Sequence, residues 1–345
     1  MKFRGKQVLA VSASVAAVAL AVTALRKSVN RDMPLGPSVA ADLRFFESRL
    51  GLRAAYYADE SAKGIPLILV HSINAAASSM EMAPLFDAFR QERPVFLLDL
   101  PGFGHSDRPD RDYTPEFYVE FLGEFLDQIA SVHGATDVVA LSLSCEFAAK
   151  AALLRSGSVR SLAFLSPTGF ASKTQRNATE RARSKNQQDS IHRVVSAGLV
   201  GQPLFDAISS KASIRFFLGR AFHGPVPETL EHYSYASAHR PGAKHAPLAF
   251  ISGKLFDPTI RTETYEALPM PVAVVYDKDP NVAFDELEGT LRRCSPWEGY
   301  RVGPSLGLPQ WERPRETVAA LHDFFDKVGA GSLGAKRMPA ATVTH

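Results

Sequence analysis

The sequence predicts an α/β fold: a mostly parallel β-sheet flanked by helices, with a helical insertion part-way along the chain. Three observations carry this. Short apolar stretches at 65–70, 95–100, 138–141, 159–165 and 272–276 have the length and character of strands buried on both faces. Amphipathic stretches of helical period stand between them, the pattern left by strand–helix–strand crossovers. The alternation then lapses over 167–262, where the chain reads as helical and irregular, and resumes with two further strand–helix units.

Taken in order, residues 43–47 and 52–58, separated by Arg49-Leu50-Gly51, read as a hairpin. Over 79–89, Met82, Leu85, Phe86 and Phe89 fall on one helical face. Thr114-Pro115-Glu116 opens the next helix, with Thr114 as N-cap, Pro115 in the first turn and Glu116 complementing the dipole. Its apolar stripe is Phe117, Phe121, Leu122, Phe125, Ile129 and Val132. The strand at 138–141 runs straight into a helix over 144–155. Beyond the insertion come a helix over 282–293, a short strand near 300–302 and a last helix over 314–328. The expected organisation is an N-terminal segment 1–32, a core in two parts (33–166 and 263–328), a helical cap insertion 167–262, and a Gly- and Ala-rich tail 329–345 expected to be disordered.

A content of 46% hydrophobic and 22% charged residues is that of a globular chain with an ample core. The net charge of +3 hides an asymmetry. Residues 1–32 carry six basic side chains against Asp32 alone, whereas the rest holds 33 basic and 35 acidic side chains. A near-neutral body argues against nucleic-acid binding, which needs a basic face. Cys145 and Cys294 have no CxxC neighbour, so neither zinc nor thioredoxin-like chemistry is indicated. Residues 8–25 are apolar, uncharged and flanked by basic residues, long enough for a membrane-spanning anchor. A cleaved signal peptide is the rival reading, with Ala19-Leu20-Ala21 a poor cleavage site and Arg26-Lys27 opposing export. The expected location is therefore the membrane, with the orientation left open by basic residues on both sides.

The chemistry-bearing motif is Ala140-Leu141-Ser142-Leu143-Ser144, where a strand turns into a helix with almost no loop. Such a turn needs small residues two before and two after its centre; Ala140 and Ser144 supply them, and Ser142 would project above the sheet. Around it, Leu69-Val70-His71-Ser72-Ile73-Asn74 resembles the H-G-x turn after the third strand of α/β hydrolases. Asp99-Leu100-Pro101-Gly102-Phe103-Gly104-His105-Ser106-Asp107 resembles that family's D-x-P-G-x-G-x-S-D segment, and Trp311-Glu312-Arg313-Pro314 its E-x-P segment. The resemblance spans about residues 43–328 and implies an α/β-hydrolase fold. It further implies Ser142 as nucleophile, backbone N–H groups of Ile73 and Leu143 as oxyanion donors, and Asp279 as the acid that orients a base. His71 is expected to be a structural loop residue.

The base itself departs from the pattern. Aligned on Pro309 and Glu312, Gly307 takes the family's His position, and Gln310 takes another spot where His is frequent. Neither can accept and return a proton at neutral pH. His105, His239 and His245 are the substitute candidates. Two functions follow: a Ser hydrolase of esterase type acting on a small or lipid-like substrate, or a non-catalytic relative that binds a ligand or partner. A cofactor-free lyase or oxygenase would also want a His. No cofactor and no metal is expected: Gly102-Phe103-Gly104 lacks the third glycine of a dinucleotide fingerprint. The sequon Asn177-Ala178-Thr179 is a triplet that chance supplies. The basic stretch with Lys173, Arg176, Arg181, Arg183, Lys185 and Arg193 reads as a solvated face able to touch anionic lipid. The oligomeric state is left open.

Overall fold

A computed structural model of the chain describes residues 33–172, 185–197, 200–295 and 297–333. The segment 8–25, the sequon, Lys173 to Arg183 and residues 334–345 lie outside the described residues, so the expectations about them stand as expectations. Among the described residues no helix is long and apolar enough to cross a membrane.

Eight strands form one sheet in the order β1-β2-β4-β3-β5-β6-β7-β8. β1 (Asp42–Ser48) and β2 (Leu52–Asp59) make the expected hairpin, and β2 pairs antiparallel with β4 (Val95–Leu98). The others, β3 (Leu67–Val70), β5 (Thr136–Leu141), β6 (Val159–Leu165), β7 (Val272–Tyr276) and β8 (Trp297–Arg301), run parallel. β3, β4 and β5 are buried at every position, because one apolar cluster covers each face of the sheet. This explains why those strands read as continuous apolar runs rather than alternating ones.

Residues 79–89 divide into a 3₁₀ turn, Ser79–Met82, and helix α1 (Ala83–Phe89), with Met82, Leu85, Phe86 and Phe89 all buried. Helix α2 (Pro115–His133) starts as the sequence indicates: the Thr114 side chain accepts from the Phe117 N–H, and Pro115 occupies the first turn. Its stripe is buried from Phe117 to Ile129, but Val132 is 75% exposed, while His133 of the same turn packs on the Phe96 ring. α3 (Ser144–Leu154) follows β5. Between β6 and β7 lie α4 (Lys185–Ser196), α5 (Gly201–Ile208), α6 (Lys211–Gly219), α7 (Glu228–Ala238), α8 (His245–Ile251) and the short α9 (Ile260–Glu263). The helix expected over 282–293 is only α10 (Leu287–Arg293), since the Val282 N–H is taken by the Asp279 carboxylate and the Glu286 N–H by the Phe170 carbonyl. α11 (Pro309–Glu312) and α12 (Pro314–Gly329) close the fold.

The two ends of the strands differ. At the N-terminal ends, the fully buried Asp137 carboxylate accepts from Arg93, Arg160 and the Ser161 hydroxyl, so its charge is paired and its lone pairs are used. At the C-terminal ends, the loop after β4 is fixed by its own motif. Buried Asp99 accepts from the Ser79 and His105 N–H groups at 2.8 and 2.9 Å. The Ser106 hydroxyl donates to the Asp99 carbonyl and accepts from the Ala55 N–H, and the Asp107 carboxylate accepts from the Arg53 N–H. Gly104 is required on two counts: its φ is +49°, and a Cβ there would lie 1.9 Å from the Asp99 carboxyl carbon.

Gly51, in the hairpin turn, has φ +74° with open space around it, so it separates backbone strain from collision. Gly51→Ala should cost about 1–2 kcal/mol, the ordinary penalty for a left-handed backbone. Gly104→Ala should cost about 4 kcal/mol or more by displacing a buried carboxylate. Urea unfolding midpoints of the two variants will check the contrast.

Candidate active site

Only two residues separate β5 from α3, so the chain must reverse within them. Ser142 takes up the reversal with φ +54°, a backbone that costs a non-glycine residue about 1–2 kcal/mol and is held here by its N–H bond to the Leu165 carbonyl at 2.9 Å. Ala140 and Ser144, the small residues on either side, are fully buried. The Cys145 thiol packs beneath the turn and donates to the Ala140 carbonyl at 3.2 Å; burial pushes it well above the ordinary thiol range, so it is inert. Ser142 itself is half-buried, and its hydroxyl bonds to none of the described residues.

The second loop of the site, after β3, is organised by a residue that sequence patterning did not single out. Glu81 is buried, and its carboxylate accepts from the Ser72 N–H (2.9 Å), the Ser72 hydroxyl (3.1 Å) and the Asn74 side-chain amide (2.8 Å). The Asn74 carbonyl oxygen in turn accepts from the Ala76 N–H. Ser72, standing where the family has Gly, is thus a partner of Glu81. The Ile73 N–H, held between these bonds, donates to none of the described residues, and neither does the Leu143 N–H. His71 is fully buried: Nδ1 donates to the Ser72 carbonyl at 2.6 Å and Nε2 accepts from the Leu100 N–H at 2.9 Å. Burial holds its pKa below the usual imidazole range, and the neutral ring ties the loops after β3 and β4 together.

The third part follows β7. Asp277 is a bracket: it accepts from the Arg301 guanidinium at 2.8 Å and the Ser305 N–H at 3.1 Å. Asp279 is the residue that meets the family's base position. One oxygen, Oδ1, accepts from the Asn281 and Val282 N–H groups at 2.7 and 3.1 Å, whereas Oδ2 faces Gly307. Burial pushes its pKa up to about 6, against those two bonds and the positive charge of Arg220, which favour the carboxylate. Gly307 has φ +113°, and a Cβ built on it would stand 2.7 Å from Oδ2. A side chain at Gly307 would therefore be strained by its backbone and would meet the Asp279 carboxylate.

The other expected positions do not supply an imidazole. Gln310 is fully buried, its side-chain amide donating to the Glu81 carbonyl at 3.0 Å; the Trp311 indole donates to the same oxygen at 2.9 Å. His105 Nε2 pairs with the Gly36 carbonyl (3.0 Å), His239 Nδ1 with the Tyr235 carbonyl (2.7 Å), and His245 Nδ1 with Asp110 (3.1 Å). No hydrogen bond joins any of these rings to Ser142 among the described residues. Phe216 and Phe217, between β6 and β7, are exposed, whereas Phe222 is buried. A buried acid also went unread: Glu146, one turn into α3, accepts from Thr168 and the Asp257 N–H, and burial raises its pKa to about 8. Its signal was present, a lone carboxylate in the apolar stretch Ser144-Cys145-Glu146-Phe147-Ala148-Ala149.

The profile of the alpha/beta hydrolase family matches residues 67–321, which contain every part of this site. The chain belongs to the α/β hydrolase family. Among solved structures it is similar to a serine hydrolase involved in carbazole degradation (18% identity, covering 83% of this chain and 99% of that one, TM-score 0.65). It is also similar to a membrane phospholipase A described as a bacterial virulence factor (20%, 94% and 96%, 0.63) and to a thermophilic esterase from Thermogutta terrifontis (17%, 84% and 99%, 0.61). At these identities the likeness is one of fold. No curated protein sequence matches. Within this α/β hydrolase, the turn at Ser142, the Ile73 and Leu143 amides and Asp279 all follow the C-terminal ends of strands of one sheet, and Gly307 stands against Asp279.

Removing the Glu81 carboxylate strips the Ser72–Ala76 loop of its organiser. Glu81→Ala should cost about 3–4 kcal/mol, read from chemical denaturation. Asp279 has a folded-state pKa above its ordinary 3.8, so its contribution to stability falls as pH rises from about 4 to about 6 and is flat above. Asp279→Asn should therefore gain stability relative to the parent at pH 7 and not at pH 4, measured as the difference in urea midpoints.

Proposed function

We propose that this α/β hydrolase binds a small or lipid-like ligand through a carbonyl or carboxylate group and does not turn it over by triad chemistry. The observation that supports this is Gly307, at the position the resemblance gives to the base: it carries no side chain, its backbone strains one, and an added Cβ would meet Asp279. The Leu143 and Ile73 N–H groups remain as donors for a ligand oxygen beside the Ser142 hydroxyl. Without a base, that hydroxyl is a poor nucleophile, and loss of the base alone lowers Ser-hydrolase turnover by about four to six orders of magnitude. The helices between β6 and β7 are read as a cap over this edge, and residues 8–25 as the anchor that keeps the chain at a membrane.

A second reading, a Ser esterase with an unconventional base, draws on one observation. The strained φ of Ser142 and the two unengaged amides are retained together, which a binding site alone does not demand.

The two readings part on one measurement. The folded protein should not be labelled at Ser142 by a fluorophosphonate probe, and Ser142→Ala should leave fatty-acyl ligand binding within about threefold of the parent. Gly307→His should not create labelling, because the new side chain meets Asp279 in a backbone suited to glycine. Labelling of Ser142 that the Ser142→Ala variant abolishes would overturn the binding reading in favour of the esterase.

A further inference from the structure

We infer that helix α6 is a lipid-contact surface, its Phe216–Phe217 edge seated on an anionic phospholipid bilayer. The inference rests on reading residues 8–25 as a membrane anchor and adds a second, separate contact. α6 is two-sided. Ile214 turns inward against Phe205, Ala238 and Ala243, whereas Phe216 and Phe217 are 61% and 55% exposed. Their rings touch edge-on at 5.3 Å, so together they make one apolar projection. The same segment, 211–220, carries exposed Lys211, Arg215 and Arg220 and no acidic residue. Arg215 is forked onto Glu231 of α7, whereas Lys211 lies over the Tyr235 ring and Arg220 carries its charge toward Asp279. An exposed aromatic pair on a cationic segment suits the headgroup level of an anionic membrane, where the rings enter the acyl boundary and the segment's positive charge favours phosphate.

The path of the chain selects a bilayer over a protein partner. α7 packs beside α6, and on α7 Tyr233 and Ala236 hold Leu35, with Met33 against them. The polypeptide therefore leaves the described residues next to α7, one helix away from α6. Only residues 26–32 separate Met33 from the apolar segment 8–25, a reach of about 24 Å when fully extended. α7, with 11 residues, is itself only about 16 Å long. A membrane holding 8–25 is thus within reach of α6.

The test uses the full chain with phosphatidylcholine vesicles, with and without phosphatidylglycerol, made with brominated acyl chains. Phe217→Trp provides the reporter and Val132→Trp, on the distant end of α2, the control. The chain should float with the vesicles, and emission from Trp at 217 should be quenched by bromine about twofold more than emission from the control, with the excess larger when phosphatidylglycerol is present. Hydrogen exchange on the unaltered chain should slow over 211–220 in vesicles relative to detergent, which guards against a misfolded variant. Flotation with equal quenching at 217 and 132 overturns the α6 contact and leaves the anchor standing. Absence of flotation overturns both. Protection of 211–220 that grows with protein concentration in detergent assigns the face to a second copy and overturns the lipid contact.

Discussion

A carboxylate taken out of water must find donors for its lone pairs, and in this protein that requirement is met by the loop that frames the candidate site. Glu81 draws the Ser72 N–H, the Ser72 hydroxyl and the Asn74 amide onto its two oxygens. Its backbone carbonyl accepts from Gln310 and Trp311, more than 200 residues later. One residue thus links the loop after β3 to the turn before the last helix, the two segments on either side of the Ser142 elbow. If that link were loosened, the loop would keep only the His71 bond to the Ser72 carbonyl and the Asn74 bond to the Ala76 N–H, and the Ile73 N–H would be less firmly directed.

Gly307 is better understood beside this link than as a deletion. In a hydrolase with a complete triad, a side chain at that position separates the acid from the nucleophile. In this protein the Asp279 carboxylate lies where a Cβ would begin, its other oxygen held by two backbone N–H groups. Acid and glycine fit each other, and the positive charge of Arg220, just past α6, favours the carboxylate. Gln310, the other place for an imidazole, is committed to Glu81. Among the described residues no hydrogen bond joins an imidazole to Ser142 or to Asp279.

Much of this was legible in the sequence, for a definable reason. Buried parallel strands, the Thr114 cap, the glycines of the loop after β4 and the small residues beside Ser142 each act within a few residues of themselves, so local spacing reveals them. Departures arose where a distant partner decides. Val132 completes a helical stripe in sequence but is exposed. Residues 282–286 have helical character but give their N–H groups to Asp279 and Phe170. Glu81 looks like one polar residue in an amphipathic turn, and its role depends on Ser72, Asn74, Gln310 and Trp311 meeting in space. His105, His239 and His245 were open candidates because sequence shows an imidazole but not the carbonyl or carboxylate that occupies it.

The contrast between the two ends of the strands has a consequence for how such a protein can change. Asp137, at the N-terminal ends, is saturated by two guanidiniums and a hydroxyl, so most substitutions there strand a buried charge. At the C-terminal ends the Ser142 hydroxyl, two amides and Asp279 Oδ2 have no such commitments. Mutational tolerance is therefore spread unevenly along a single set of strands. The chemistry at one end can be dismantled or rebuilt residue by residue while the architecture, secured from the other end, is inherited unchanged.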